Sequence, residues 1–347
     1  MNILISGWYG FGNVGDEAIL QAMIEHYRRT EMNSKIRALS YRPKNTREWQ
    51  NIQAANQPPS GLKSWIACLA LFRWVRTFYY FIWCDKFVMG GGGFLSDWDR
   101  KVPAIWLRQL KWAKILGKHT ALIGVGIGPI FDSKNQDLIR RYIEDYVDEI
   151  SVRDQESRRW LVDKCKVGGE RVSVEIDPVA LLDCSEWRST DGEVKNVGVI
   201  YAQYFDRKKL FGSDNSSKDD LENCYVAQLE ELKNLGCTVQ LISWLDSLSA
   251  RSGVPVVYPR DFKHAIHSMS LCKAIISFRL HGNILAHALG IPFLPIIYHH
   301  KGFGFLDMCG RSRSSAIVVG DGINIEKTEQ LESHWVSKTR EFIGEIK

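Results

Sequence analysis

Asn2-Ile3-Leu4-Ile5-Ser6-Gly7-Trp8-Tyr9-Gly10-Phe11-Gly12-Asn13-Val14-Gly15-Asp16-Glu17 opens the chain and decides its fold. A short apolar run ends in a glycine-rich turn, and a helical pattern over Glu17–Arg29 follows. Strand, turn and helix in that order begin a βαβ unit. The run has no basic leader and is too short for a signal peptide, so it reads as a first β-strand. The alternation then continues. Strands are expected at Lys35–Ser40, Lys86–Gly90, His119–Val125, Glu149–Val152 and Val172–Ile176, with helical patterns at Ala104–Leu116 and Gln136–Tyr146. Asp177-Pro178 and the polar stretch Asp183–Lys195 interrupt it. Strands resume at Asn196–Tyr201, Thr238–Ser243, Val254–Val257, Lys273–Phe278, Pro292–Ile297 and Ala316–Val319. Helical patterns lie between them at Asp220–Leu235, Asp261–Ser270 and Asn283–Leu289.

This is an α/β chain of two Rossmann-like domains whose parallel sheets are expected to face a cleft. The first domain is read over 1–183 and the second over 184–325, with a C-terminal helix over 326–347 that can cross back to the first. The polar segment Phe205–Lys218 is expected as a loop over the cleft. In open α/β sheets ligands bind outside the carboxyl ends of the strands, so motifs there are the informative ones.

Composition narrows the function. A length of 347 residues suits two domains, and 45% hydrophobic with 24% charged residues argues against disorder. The net charge of +5 suits an anionic substrate or membrane surface, while the lack of a Lys/Arg block argues against nucleic acid. Eight scattered cysteines without C-x-x-C or zinc spacing read as buried thiols in a reducing, cytoplasmic compartment, with no metal site. Trp65–Cys84 is the one membrane-like stretch, but Arg73 and Arg76 in its middle oppose a crossing. It reads either as buried aromatic helices or as a surface that touches a membrane or a lipid-linked substrate. Apolar stripes are more often core, which favours the first.

Gly10-x-Gly12-x-x-Gly15 matches a dinucleotide fingerprint on paper. Asp16 and Glu17, however, stand where a pyrophosphate would need the helix N-terminus, and the next strand ends in Ser40-Tyr41-Arg42 with no acid for a ribose. The turn is better read as substrate-facing, with Trp8, Tyr9 and Asn13 at the cleft, or simply as a tight turn with Asp16 capping the helix. Gly90-Gly91-Gly92-Gly93 after another strand lets the backbone approach a ligand closely, with Asp97 within reach.

The second half carries Ile275-Ile276-Ser277-Phe278-Arg279-Leu280-His281-Gly282-Asn283. Arg279 and His281 fall between a strand and a helix N-terminus, where backbone donors favour anions. Arg fits carboxylate or phosphate with its fork, and His moves protons near neutral pH. Lys301 follows the next strand and adds a point charge. His299 and His300 point opposite ways in extended chain, which disfavours a metal. His287, on the helix, reads as structural. Arg153-Asp154 ends another strand and is either a local ion pair or a second clamp.

These residues resemble the polysaccharide pyruvyl transferase family. The matches are Gly7 to Leu20, Gly91 to Asp97, Ser151-Val152-Arg153-Asp154, Phe278-Arg279-Leu280-His281, Gly290-Ile291-Pro292, and Lys301 with Phe305-Leu306, in family order. The resemblance implies a fold like that of GT-B glycosyltransferases. It implies phosphoenolpyruvate as co-substrate with no further cofactor, and a sugar diol of a polysaccharide or its precursor as acceptor. The products would be a cyclic pyruvate ketal and phosphate. Arg279 and Arg153 would hold the donor's phosphate and carboxylate with help from Lys301, and Leu280, Gly91 and Gly92 would lie on the donor side. His281 would be the general acid or base. Asp97 is the candidate to take the acceptor's proton. Trp8, Tyr9, Asn13 and Asp16 are placed with the acceptor, and Trp98 and Trp244 are further candidates to stack on sugar. His299-His300 departs from an Asp-Pro-like pair in many relatives. A nucleotide-sugar-dependent GT-B glycosyltransferase and a non-catalytic carbohydrate-binding relative remain as alternatives, with a dehydrogenase third. The first lacks a recognisable base and ribose site, and intact Arg153, Arg279 and His281 argue against the second.

Overall fold

The apolar runs pair side by side in parallel, with helical crossovers between them. In the computed structural model, residues 1–60, 73–97, 101–188, 196–201, 218–244, 253–297, 300–319 and 328–346 are described. The chain divides into two compact units, Met1–Leu182 and Asp183–Lys347.

The first unit holds β1 (Asn2–Ser6), β2 (Lys35–Ser40), β3 (Gln53–Asn56), β4 (Lys86–Gly90), β5 (His119–Val125), β6 (Glu149–Val152) and β7 (Val172–Val174). They form one sheet in the order β3-β2-β1-β4-β5-β6-β7. Its helices include α1 (Val14–Thr30), α2 (Pro43–Gln50), α3 (Arg73–Trp83), α4 (Val102–Ile115), α5 (Ser133–Tyr146) and α6 (Gln155–Arg159). In the second unit β8 (Asn196–Ile200), β9 (Thr238–Ile242), β10 (Val256–Val257), β11 (Cys272–Ser277), β12 (Phe293–Ile297) and β13 (Ile317–Val318) are ordered β10-β9-β8-β11-β12-β13. Its helices include α7 (Lys218–Asn234), α8 (Phe262–Ser270), α9 (Leu280–Ala288), α10 (His300–Met308) and α11 (Thr328–Glu345).

Both sheets wind outward from their first strand and then cross to its other side. Each therefore has a topological switch point, between β1 and β4 in the first and between β8 and β11 in the second. Ser6 is in register with Met89 and Ile200 with Ser277, so the loops after these strands emerge together. Each unit has its own core. Leu4, Phe81, Phe87, Trp106, Leu122 and Val152 belong to the first, and Val197, Leu229, Ile276 and Trp335 to the second. The last helix packs in the second unit. Trp335 and Ile343 are fully buried in that core, Gln228 on α7 donates to Thr339 at 2.9 Å, and Arg340 donates to Glu231 at 2.9 Å.

Only part of Trp65–Cys84 is described. On α3 Thr77, Tyr80 and Phe81 are buried, while Val75, Tyr79 and Ile82 are exposed. Among the described residues no helix is long and apolar enough to cross a membrane, and no group of three or more His, Cys, Asp or Glu could hold a metal. The described cysteines are all free, and burial pushes the thiols of Cys84, Cys165 and Cys272 up to about 12.

Candidate active site

At the first switch point the β1 turn is fixed from several sides. Trp8 and Tyr9 split: Trp8 is 43% exposed, while Tyr9 is buried and its hydroxyl donates to the Gly90 carbonyl at 2.9 Å. Burial holds the Tyr9 phenol well above its ordinary value, so it stays a donor. Tyr9, expected to face the acceptor, thus ties the β1 turn to the β4 turn from inside. Trp8 instead forms an aromatic face with Phe11 at 5.2 Å, Tyr41 at 4.8 Å and Trp106 at 6.1 Å.

The helix cap is Asn13, not Asp16: its side chain accepts from the Gly15 amide at 3.2 Å. Asp16 lies in the first turn, with Oδ1 3.8 Å from where a Cβ on Gly92 would stand. That places this carboxylate over the β4 glycine turn. Glu17, which the sequence offered only as an obstacle to a pyrophosphate, has the decisive part here. Its buried carboxylate accepts from the amides of Gly10 at 2.7 Å and Gly12 at 3.4 Å. The place a dinucleotide's pyrophosphate would take is thus filled by the chain's own acid. Burial pushes Glu17 up to about 7, with the Gly10 and Gly12 amides pulling it back. Beneath the turn Ser6 donates to Gln109 at 2.7 Å, Gln109 to Gln57 at 3.2 Å, and Gln57 to the Gly7 carbonyl at 2.9 Å. This polar net was not foreseen, because Gln57 and Gln109 meet only through the tertiary fold.

The β4 turn is structural in its first amide. Gly91 has φ +60° and donates to the Ile123 carbonyl at 2.8 Å, so its N–H does not serve an anion as expected. Gly92 has φ +76° and its carbonyl accepts from Gly126 at 2.8 Å. Asp97 is likewise engaged. It accepts from the Asp132 amide at 2.7 Å and from the Asn135 side chain at 2.6 Å, which fixes the start of α5. Each oxygen holds one protein donor, so Asp97 helps to position α5. Arg153 is 6% exposed and faces Asp177 at 3.2 Å and Asp154 at 3.7 Å, both buried. The local ion pair is therefore present. Trp98 lies outside the described residues.

In the second unit the strand–Arg-x-His–helix reading is realised. Arg279 is the N-cap residue of α9 and His281 lies in its first turn. Ser277, fully buried at the end of β11, accepts from the Arg279 amide at 3.0 Å and donates to the Arg279 carbonyl at 3.0 Å. Gly282 leaves room for that hydroxyl, since a Cβ there would stand 2.2 Å from it. Asn283, buried in α9, donates to the Ser277 carbonyl at 3.4 Å. The Arg279 guanidinium donates to the Trp244 carbonyl at 3.1 Å. Trp244 follows β9 and Arg279 follows β11, with β8 between, so the guanidinium lies across the carboxyl end of β8 at the switch point. Trp244 itself is buried, a core residue rather than a sugar platform. Lys301 is in the first turn of α10, directly after β12, the neighbour of β11. His299 lies outside the described residues. His287 is exposed and meets Phe305 edge-on at 5.8 Å.

The arrangement brings Trp8, Asn13, Asp16 and Gly92 to one switch point, and Arg279, Leu280, His281 and Lys301 to the carboxyl edge of the other sheet. Several solved structures are similar to this chain in fold. The UDP-GlcNAc 2-epimerase from Neisseria meningitidis aligns at TM-score 0.58 and 13% identity, over 100% of this chain and 93% of that one. A putative UDP-N-acetylglucosamine 2-epimerase from Listeria monocytogenes aligns at TM-score 0.60 and 8% identity, over 98% and 88%. The E. coli heptosyltransferase WaaC aligns at TM-score 0.51 and 12% identity, over 99% of each chain. At these identities the likeness shows the fold, which is of the GT-B kind. No curated protein matches the chain. A model of the family described as polysaccharide pyruvyl transferase matches residues 13–300, a range that starts within the first turn and includes Arg153, Arg279 and His281. The chain therefore belongs to the polysaccharide pyruvyl transferase family.

Proposed function

We propose that the protein transfers the pyruvyl group of phosphoenolpyruvate to two hydroxyls of one sugar, forming a cyclic ketal and releasing phosphate. The observation that carries this is the braced Arg279-Leu280-His281 segment at the second switch point: a cation and a proton carrier held by Ser277 and Asn283 at a helix N-terminus. The acceptor is a sugar diol of a polysaccharide or its precursor.

In this reading Arg279, the α9 N-terminus and Lys301 hold the donor's anionic groups. His281 gives a proton to the methylene carbon, which becomes the methyl group. The positive charge that develops at the neighbouring carbon is met by a sugar hydroxyl. The C–O bond to phosphate then breaks, and the second hydroxyl closes the ketal. One hydroxyl proton restores His281 and the other leaves with phosphate. Fixed cations favour departure of phosphate because they meet charge as it develops. Asp97 is the carboxylate assigned to draw the attacking proton, which then leaves with phosphate, and Asp16, over the β4 turn, is assigned to the acceptor. Trp8, with its exposed aromatic face, is assigned to the sugar. Arg153 is assigned to shaping its loop through Asp154 and Asp177.

Calorimetric titration with phosphoenolpyruvate tests the donor. Binding is expected for the wild type, loss of at least about a hundredfold for Arg279→Ala, and near-normal binding without turnover for His281→Ala. Binding of UDP-GlcNAc in place of phosphoenolpyruvate would overturn the donor assignment. Wild-type turnover by His281→Ala would overturn its role in proton transfer.

A further inference from the structure

A cluster of cations lies at the amino edge of the first sheet, away from the glycine turns. A shallow pocket of about 500 Å³ is lined by Arg28, Lys35, Arg37 and Arg47, with Asn51 and Trp83, and among the described residues no carboxylate lines it. Arg28 and Arg47 come from the last turns of α1 and α2, and Lys35 begins β2. A basic residue in a last turn ordinarily answers the helix dipole. Four cations converging on one pocket exceed that need. Among the acids along this edge, Asp148 pairs with Lys114, Glu149 with Lys86, and Asp85 accepts from the Asn2 amide.

The pocket is continuous with an apolar surface. The Arg37 guanidinium stands over the rings of Trp83 at 3.9 Å, Tyr80 at 4.6 Å and Tyr79 at 5.4 Å, which joins the pocket wall to α3. Val75, Tyr79 and Ile82 are spaced i, i+4, i+7 on one face of α3, at 49%, 52% and 62% exposure. Lys118 donates to the Ile82 carbonyl at 2.7 Å, bringing exposed Ile115 and Leu116 to the same end of the helix. The face thus joins clustered cations to aromatic and branched apolar side chains. That combination suits the boundary between anionic headgroups and acyl chains.

We propose that this face docks the protein on an anionic lipid bilayer, with headgroup phosphates in the Arg28/Lys35/Arg37/Arg47 pocket and Tyr79 and Ile82 in the interfacial layer. The occupant is a bilayer rather than a free anion because the cations adjoin exposed apolar side chains, which a small anion would leave in water. The readout is binding, so it is independent of the transfer chemistry.

The test is co-sedimentation of the full chain with vesicles of phosphatidylcholine alone or mixed with phosphatidylglycerol. Binding is expected only with phosphatidylglycerol, weakening as salt rises. Arg28→Glu with Lys35→Glu should lower it at least about tenfold, and Tyr79→Ser with Ile82→Ser should also lower it. All four side chains are exposed, so these variants keep the fold. Equal binding to both vesicles, or wild-type binding by both double variants, would overturn the proposal. So would stabilisation by inorganic phosphate without vesicle binding, which would mark a small-anion site. A change in oligomeric state in Tyr79→Ser with Ile82→Ser without vesicle binding by the wild type would assign the face to self-association and equally overturn it.

Discussion

Glu17 shows how one residue can answer a question that a motif leaves open. Gly10-x-Gly12-x-x-Gly15 has the spacing of a nucleotide turn, yet its amides serve an internal carboxylate. The residue before it, Asp16, stands over Gly92, so two adjacent acids on one helix have opposite surroundings. Glu17's carboxyl lies at about 7 in the fold against 4.5 unperturbed, chiefly because burial penalises the charged form. The unfolded chain therefore loses this proton first. The contribution of Glu17 to stability is full below about pH 4.5 and is lost as pH rises through about 7. Urea unfolding at about pH 5 and about pH 8 should show a decline of up to ~3 kcal/mol from this group, and Glu17→Gln should flatten it. An unchanged pH profile in Glu17→Gln would refute the assignment. Arg153→Ala should cost roughly 3–5 kcal/mol in the same measurement, because it removes the buried cation that faces Asp154 and Asp177. Arg153 and Asp154 were legible as neighbours; Asp177, on another segment, was not.

At the scale of elements, glycines set how closely turns and helices approach. Gly91 has φ +60°, and a Cβ there would stand 2.2 Å from Ile19 Cγ2 on α1. Gly91→Ala is therefore expected to destabilise by about 2–4 kcal/mol, through backbone strain and overpacking together. Chemical denaturation reads this directly, and a neutral result would mean that α1 can move aside. Gly302 similarly lets α10 approach β12, since its Cβ would meet Ile297 at 3.0 Å. That helix was missed in the sequence because His300–Met308 carries two glycines, whose helix propensity is poor. Packing overrides it, with Phe305 and Leu306 buried. The edge strand β3 was missed for the opposite reason. Gln-Ala-Ala-Asn has weak strand propensity, and its extended form comes from pairing with β2.

For the whole molecule, two cores predict two separately stabilised units. The second depends on its last helix, where Trp335 is fully buried and Thr339 and Arg340 bond to α7. Trp335→Ala should cost about 3–5 kcal/mol, followed by intrinsic fluorescence during denaturation, and the loss should fall on the second unit's transition. A loss confined to the first unit's transition would show that the helix stabilises the wrong core for this account. The sequence by itself determined the parallel α/β class and most strands, because alternation of apolar runs with helical patterns is a local signal. It also determined the placement of Arg279 and His281 at a strand's carboxyl end, for strand and helix adjoin there in the chain. Only the tertiary structure decided that Tyr9 and Trp244 turn inward, that Asp97 bonds to the start of α5, that Asn13 rather than Asp16 caps α1, and that Glu17 fills the glycine turn. Burial and hydrogen-bond partners distant in sequence set those roles, and local periodicity carries no record of them.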